Sequence, residues 1–267
     1  MTLNIVVCIK QVPDPKHFSE ITMDPVKHTI RREGIPSVIN PCDRHALEEG
    51  LRIREKFTGK LVVISMGPTQ ALEALQEALA IGADEAILLC DKAFAGSDTL
   101  VTSYVLGAAI GKIGAFDLVL CGNETVDGGT GHVGAQLAEL LGIPHVQASN
   151  IKFIDERSLT VKMPIEHGYL DISLKLPAVI SVTEQINRYR LPTVWAIVEV
   201  AGREIKIWDC EDLEVDTSKV GSDGSPTEVT GIFEHKFKRR VEFLRGSPEE
   251  MAKQAVVKLR QLGGDMK

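Results

Sequence analysis

The stretch DLVLCGNETVDGGTGHVGAQLAELLG, residues Asp117 to Gly142, decides how the rest of the chain is read. Leu118, Val119, Leu120 and Cys121 form a short apolar run suited to a strand covered on both faces. Gly122, Gly128 and Gly129 mark a turn. Thr130 is expected to open a helix with a core stripe of Val133, Leu137, Leu140 and Leu141, stopped by Gly142. A Gly-rich turn feeding a helix points unpaired backbone N–H groups and the positive end of the helix dipole at one spot, which holds phosphate without lysines. The pattern is neither G-x-G-x-x-G nor a P-loop, since no Gly-Lys-Ser/Thr follows. Alone, it also fits a βα turn that binds nothing.

The flanking sequence repeats the same rhythm. Ile5 to Ile9, Leu61 to Ser65 and Ala86 to Cys90 read as strands. Helices are expected from Asp43 with Ala46, Leu47, Leu51, Ile53 and Phe57, from Thr69 with Leu72, Leu75 and Leu79, and from Asp98 with Val101, Val105, Ala108 and Ile113. Gly82 and Gly114 close the last two. Repeated βα units with short connections imply an α/β fold with a doubly wound, mostly parallel sheet, in which ligands sit at the carboxyl ends of the strands near the switch point. Lys10-Gln11, Ser65-Met66-Gly67-Pro68 and Gly122 to Gly134 fall at those ends, and Asn40-Pro41-Cys42-Asp43 lies beside them. Asp43 can serve as a helix N-cap, as a ligand residue, or both.

Composition narrows the function classes. The 267 residues are 44% hydrophobic and 25% charged, enough for a large core. A net charge of -7 and a pI near 5.6 argue against nucleic-acid binding. No apolar run is long enough to span a bilayer, and Met1 leads directly into LNIVVCI with no signal-peptide pattern. Cys8, Cys42, Cys90, Cys121 and Cys210 are odd in number and lack metal spacing. Reduced thiols in a cytoplasmic protein with no metal are expected.

After residue 150 the character changes. Ile151 to Ile165 and Tyr169 to Leu174 suggest a hairpin, and Pro177 to Thr183 another core strand. From Asn187 to about Phe243 the βα rhythm is gone; this stretch holds Trp195, Trp208 and the basic run Lys236 to Arg240. Long irregular segments usually pack on something. The expected division is an α/β nucleotide-binding domain over 1–186 and an extension over 187–267. Ser247-Pro248-Glu249-Glu250 is a helix start with N-cap, Pro at N1 and capping-box Glu, ahead of an apolar face of Met251, Ala255, Leu259 and Leu262.

These residues converge on a family. IVVCIKQVPD, INPCDRHALEEGLRI, VVISMGP, ALAIGADEAILL, DLVLCGNETVDGGTGHVG, LKLPAVISVTEQIN and GSPTEV occur in the order and spacing of the beta (small) subunit of electron-transfer flavoproteins, which the chain resembles over essentially its whole length. The resemblance implies an adenine-nucleotide-binding domain, a C-terminal part that clasps a larger alpha subunit, and an FAD functional in the heterodimer. The FAD would accept electrons from flavin dehydrogenases, such as acyl-CoA dehydrogenases, and pass them to a quinone oxidoreductase or ferredoxin. The family's nucleotide site carries over onto Cys8, Asn40, Pro41, Cys42, Asp43, Met66, Asn123, Glu124, Thr125, Val126, Asp127, Gly128, Gly129, Thr130, Gly131, His132, Val133 and Gly134, to which the strand-end reading adds Gly67 and Gly122.

Two departures matter. Simple respiratory members carry an acidic Asp-Asp-Asp turn and hold AMP. Asp127-Gly128-Gly129-Thr130 resembles the bifurcating members, which hold a second FAD in beta, although a turn that still holds AMP fits as well. The dehydrogenase-docking loop of the family places a leucine near lysines. Here Arg188 to Arg203 keeps Leu191-Pro192 but is apolar, which suits either a docking surface or a buried strand. No Ser-His-Asp, Cys-His or paired-carboxylate arrangement is legible, so catalysis would belong to the flavin. His132 is either a donor to phosphate or flavin, or an exposed helix residue. The rival reading is a nucleotide sensor of the same architecture with no redox role.

Overall fold

The computed structural model describes residues 2–20, 22–23, 30–31, 34–153, 155, 157–230 and 241–263. Two compact units result, Met1–Thr230 and Gly231–Lys267. The strands are β1 (Ile5–Cys8), β2 (Gln11–Pro13), β3 (Thr22–Met23), β4 (Ile30–Arg31), β5 (Ser37–Ile39), β6 (Leu61–Met66), β7 (Glu85–Leu89), β8 (Leu118–Gly122), β9 (His145–Ala148), β10 (Asn150–Phe153), β11 (Ser158–Ile165), β12 (Gly168–Lys175), β13 (Ala178–Val182) and β14 (Lys206–Trp208). The helices are α1 (Pro41–Lys56), α2 (Leu72–Ile81), α3 (Thr99–Ile113), α4 (Val133–Leu141), α5 (Val194–Val200), α6 (Gly221–Gly224) and α7 (Pro248–Gly263).

Seven strands form one parallel sheet in the order β14-β7-β6-β1-β8-β13-β9. The central strands are continuous apolar runs because both faces are covered. Val7, Val63 and Leu120 pack on one side with Leu47 and Leu51 of α1 and Leu75 of α2. Val6, Ile64 and Val119 pack on the other with Val105 and Ile110 of α3 and Leu137 of α4. This is the doubly wound architecture expected from the sequence. The chain adds β6 and β7 on one side of β1 and then crosses to place β8 on the other. The carboxyl ends of β1 and β8 therefore flank the switch point, where such folds bind ligands.

Several elements differ from expectation. The helix after the Gly-rich turn starts at Val133 rather than Thr130, because Gly129 and Gly131 take left-handed φ values of +59° and +65° that no α-helix accommodates. Leu140 is 48% exposed, and Gly134, Leu137 and Ala138 make the buried face instead. The segment 151–165 is broken at Asp155, whose side chain accepts from Arg157 N–H at 2.8 Å in an Asx turn, so β10, β11 and β12 form a three-stranded antiparallel meander.

The first unit also continues past residue 187. β14 pairs in parallel with β7 and so extends the main sheet. Cys210 N–H donates to Asp91 at 3.1 Å, and Asp98 carboxyl accepts from Thr227 N–H at 3.1 Å. The unit ends at Thr230, and β14 is the piece of βα rhythm too short for periodicity to reveal. The stretch around Trp195 is not a buried strand but the short helix α5, capped by Thr193. In the second unit, Ser247 and Glu250 form the expected capping box, with Ser247 N–H donating to Glu250 at 2.8 Å and Glu250 N–H to Ser247 Oγ at 3.3 Å. The run Lys236 to Arg240 lies outside the described residues.

Candidate nucleotide site

The site is built by α1 reaching over the switch point. Asn40 occupies the N-cap position of α1, yet its side chain makes no cap bond. Pro41 at the first helical position removes one N–H that would otherwise lack an acceptor, and the Asn40 amide is used elsewhere. That amide clasps the Gly-rich turn: Nδ2 donates to Glu124 O at 2.9 Å, and Oδ1 accepts from Val126 N–H at 3.1 Å. Both bonds go to the backbone, so the turn's shape is fixed without using its side chains.

Asp43 is not the helix cap that the sequence allowed. It lies in the first turn of α1, buried, and its carboxylate accepts from Lys10 N–H at 2.8 Å and from Gly122 N–H at 2.9 Å. Burial pushes its pKa up to about 7, against the pull of the Lys10, Asn40 and Gly122 hydrogen bonds. Lys10, one of the strand-end residues, supplies a further contact: its ammonium pairs with Asp127 at 2.8 Å. The Asp127 side chain is only 6% exposed, so the acid of the turn is buried and neutralised.

The remaining turn faces outward. Gly128, Gly129, Thr130, Gly131 and His132 are exposed. A Cβ placed on Gly129 would meet nothing within 4 Å, so the space in front of the turn is open. His132 sits just before α4, in reach of anything bound there. The first N–H groups of a helix have no intrahelical acceptor, and those of α4 at Val133 and Gly134 emerge at this point. Behind the turn, Ser181 Oγ contacts His145 Nε2 at 2.8 Å and Cys121 Sγ at 3.3 Å, a small polar cluster that spacing in the sequence did not disclose.

The thiols here are packing groups. Burial raises the pKa of Cys8 well above the usual thiol value and that of Cys42 and Cys121 to about 12. Such thiols are poor nucleophiles. Met66 and Gly67 end β6 and enter the next turn, half-buried, with Gly67 N–H donating to Leu89 O at 3.1 Å. Among the described residues there is no cluster of three or more His, Cys, Asp or Glu able to hold a metal.

A second set of contacts ties residues 187–190 to the same helix. Asn187 Nδ2 donates to His45 O and to Glu49, both at 3.0 Å, and its Oδ1 lies 2.9 Å from His45 Nδ1. Arg190 pairs with Glu48 at 2.8 Å and with Glu55. Beyond this anchor, α5 presents Val194, Trp195, Ile197 and Val198 to solvent, Trp195 being 84% exposed.

Comparison with known proteins supplies the lineage of this arrangement. The model described as the electron transfer flavoprotein domain matches residues 27–210. Electron transfer flavoprotein subunit beta of Thermoanaerobacterium thermosaccharolyticum is 45% identical over 258 residues, covering 96% of this chain and 98% of that one. The chain belongs to the beta-subunit branch of the electron transfer flavoprotein family. Its other relatives include the caffeyl-CoA reductase-Etf complex subunit CarD of Acetobacterium woodii, 40% identical over 97% of this chain and 98% of that one. Protein FixA of Azotobacter vinelandii is 39% identical over 96% of this chain and 94% of that one.

The turn fits an electron transfer flavoprotein nucleotide on physical grounds. It offers open space at Gly129 and a helix N-terminus, both of which favour a phosphate anion, and its buried acid Asp127 is offset by Lys10. Among the described residues, no helix is long and apolar enough to cross a membrane.

Proposed function

We propose that this chain is the beta half of a heterodimeric electron transfer flavoprotein, and that its Gly-rich turn holds the diphosphate of a second FAD rather than AMP. The observation that carries the proposal is the Asn40, Asp43 and Lys10 clasp, which holds a glycine turn open at the switch point. Bound flavin would accept electron pairs from a flavin dehydrogenase, of the acyl-CoA dehydrogenase kind, and release them to a quinone oxidoreductase or ferredoxin. The protein's share is binding and orientation. Backbone N–H groups at the start of α4 would face the diphosphate, and His132 would donate to it from the rim. Asn40 and Asp43 would keep the turn rigid without touching the ligand through their side chains.

FAD is favoured over AMP by charge and room. A diphosphate brings more negative charge than a monophosphate. Each carboxylate absent from Gly128 and Gly129 removes repulsion of ~1 kcal/mol at partly solvated distance. The CarD relative is a subunit of a caffeyl-CoA reductase-Etf complex by name, which suits division of electrons between two acceptors as the role of the second flavin here.

The test is to co-express the chain with its alpha partner, denature the purified yellow complex and count released nucleotides. Two FAD and no AMP per heterodimer is the expected result. One FAD with one AMP overturns the second-flavin reading, and a colourless protein that binds nucleotide overturns the redox role altogether.

A further inference from the structure

The amino edge of the main sheet, opposite the nucleotide turn, carries a cleft of about 400 Å³. Its floor is Val6, Val62 and Ile87, on the α3 face of the sheet. α3 ends at Ile113 and the chain turns through Phe116, so this corner of the sheet lies beyond the helix. The half-buried indole of Trp208, from the edge strand β14, forms a wall.

The rim has the opposite chemistry. Lys60 and Lys206 both grip the carboxylate of Glu85, one on each oxygen. Lys112 stands over the Trp208 ring, 5.0 Å from its centroid, and donates to the Asp212 carbonyl. The Asp212 carboxylate is 3.8 Å from the same ammonium, at the outer edge. The carbonyl end of α3 contributes roughly half a negative charge more. Three ammoniums against Glu85, a peripheral Asp212 and that dipole leave a small positive surplus. It surrounds an apolar floor, on a chain whose net charge is -7.

We propose that this cleft is a binding site for a small organic acid, with an apolar, preferably aromatic, body against Trp208 and one carboxylate among Lys60, Lys112 and Lys206. The volume lies at the lower end for ligand clefts, about 300–1,000 Å³, which admits a ring and a head group but not a dinucleotide. A surplus of about half a charge suits a monoanion better than the dianion of a phosphate ester. The ring face of Trp208 already carries an ammonium, so an aryl carboxylate lying beside the indole brings its head group to Lys112 with little rearrangement. Both ends of the sheet can be filled together, so this site stands independently of the flavin reading.

Fluorine NMR of para-fluorophenylacetate, titrated into the full chain co-purified with its partner, tests the site. Saturable, single-site broadening of the fluorine signal is expected. It should weaken about tenfold in Lys112→Glu and in Lys206→Gln, persist in Lys112→Arg, and be absent for the neutral para-fluorophenylacetamide. No response at millimolar probe, equal binding by both charge-altered variants, or equal binding of the amide each overturns the proposal. Circular dichroism of the variants separates a lost site from a lost fold.

Discussion

The backbone N–H of Gly122 donates to the Asp43 carboxylate at 2.9 Å, and the other oxygen of that carboxylate takes the Lys10 N–H at 2.8 Å. One buried acid on α1 thus ties together the carboxyl ends of β8 and β1, the two strands that flank the switch point. The tie explains why a glycine stands at 122. A Cβ there would lie 2.4 Å from the Asp43 oxygen and 2.7 Å from Cys42 Cβ.

Gly122→Ala should therefore destabilise the first unit. The added methyl meets α1 itself rather than the tip of a flexible side chain, so either the tie breaks or α1 shifts. Overpacking of this kind costs about 1–3 kcal/mol, and the loss of a buried bond to a charged group adds to it. Urea unfolding of wild type and variant measures the difference. A change under ~0.5 kcal/mol, the range of a neutral surface substitution, would refute the tie.

The same acid predicts a pH dependence. Burial lifts the folded-state pKa of Asp43 to about 7, above its unfolded value near 4. Between those values the folded state binds the extra proton. The group's contribution is therefore fully present below about pH 4, falls as pH rises, and is lost above about pH 7. Asp43→Asn removes the titration. The stability difference between wild type and Asp43→Asn should shrink by a few kcal/mol on going from acid to neutral pH and then level off. Chemical unfolding of both proteins across that range checks it, and a constant difference rules out the raised pKa.

Asn40→Ala should act on the site more than on the fold. It deletes the clasp on Glu124 O and Val126 N–H and the bond to Asp43, while no cap bond of α1 is lost. The lost hydrogen bonds suggest a cost of about 1–3 kcal/mol. Hydrogen exchange should accelerate at Val126 and neighbouring amides of the turn, and retained nucleotide should fall. Unchanged exchange at Val126 would show that the clasp does not hold the turn.

The parallel sheet was readable because each central buried strand is a short apolar run and α2, α3 and α4 are punctuated by Gly82, Gly114 and Gly142. The glycine turn was readable because a βα connection at a strand end is where nucleotides bind. Asp43 was misplaced because an acid beside a helix start looks like a cap, and only the fold shows Lys10 and Gly122 converging on it. Asn40 conceals its role in the same way. β14 is three residues long and joins the sheet from 117 residues beyond β7, so no local pattern announces it. α5 is apolar on both faces: Val200 and Ala196 pack on the core, while Val194, Trp195, Ile197 and Val198 point to solvent, so composition alone suggested more burial than the helix has.

Gly129 allows the turn and its ligand to be separated. The glycine has φ +59° and open space in front of it. Gly129→Ala should bring backbone strain of about 1 kcal/mol and little loss of nucleotide. Gly129→Trp adds the same strain but fills the space where the phosphates would lie. Its nucleotide content should drop several-fold below that of the alanine variant at equal stability. Equal nucleotide content in the two variants would place the phosphates elsewhere.

The apolar surface of α5 gives the last test. Val194 is 73% and Trp195 84% exposed, and Ile197 and Val198 lie beside them. Leu191, also exposed, comes just before the helix, and Arg190 is fixed to α1 through Glu48 and Glu55. An anchored helix that shows a tryptophan and three aliphatic side chains to water has the exposure of a docking face rather than of a core element. α5 packs on the core through Val200 and Ala196, but Trp195 stands clear of it, so Trp195→Glu should leave the unfolding free energy unchanged within about 0.5 kcal/mol. On the proposed reading this face, which keeps the Leu191-Pro192 of the family's docking loop without its lysines, receives a separate redox partner. The variant should therefore still co-purify with the alpha subunit and keep its nucleotides, while electron uptake from the donor dehydrogenase slows and chemical reduction by dithionite does not. If Trp195→Glu instead releases the alpha subunit, α5 belongs to the heterodimer interface and the donor must dock elsewhere.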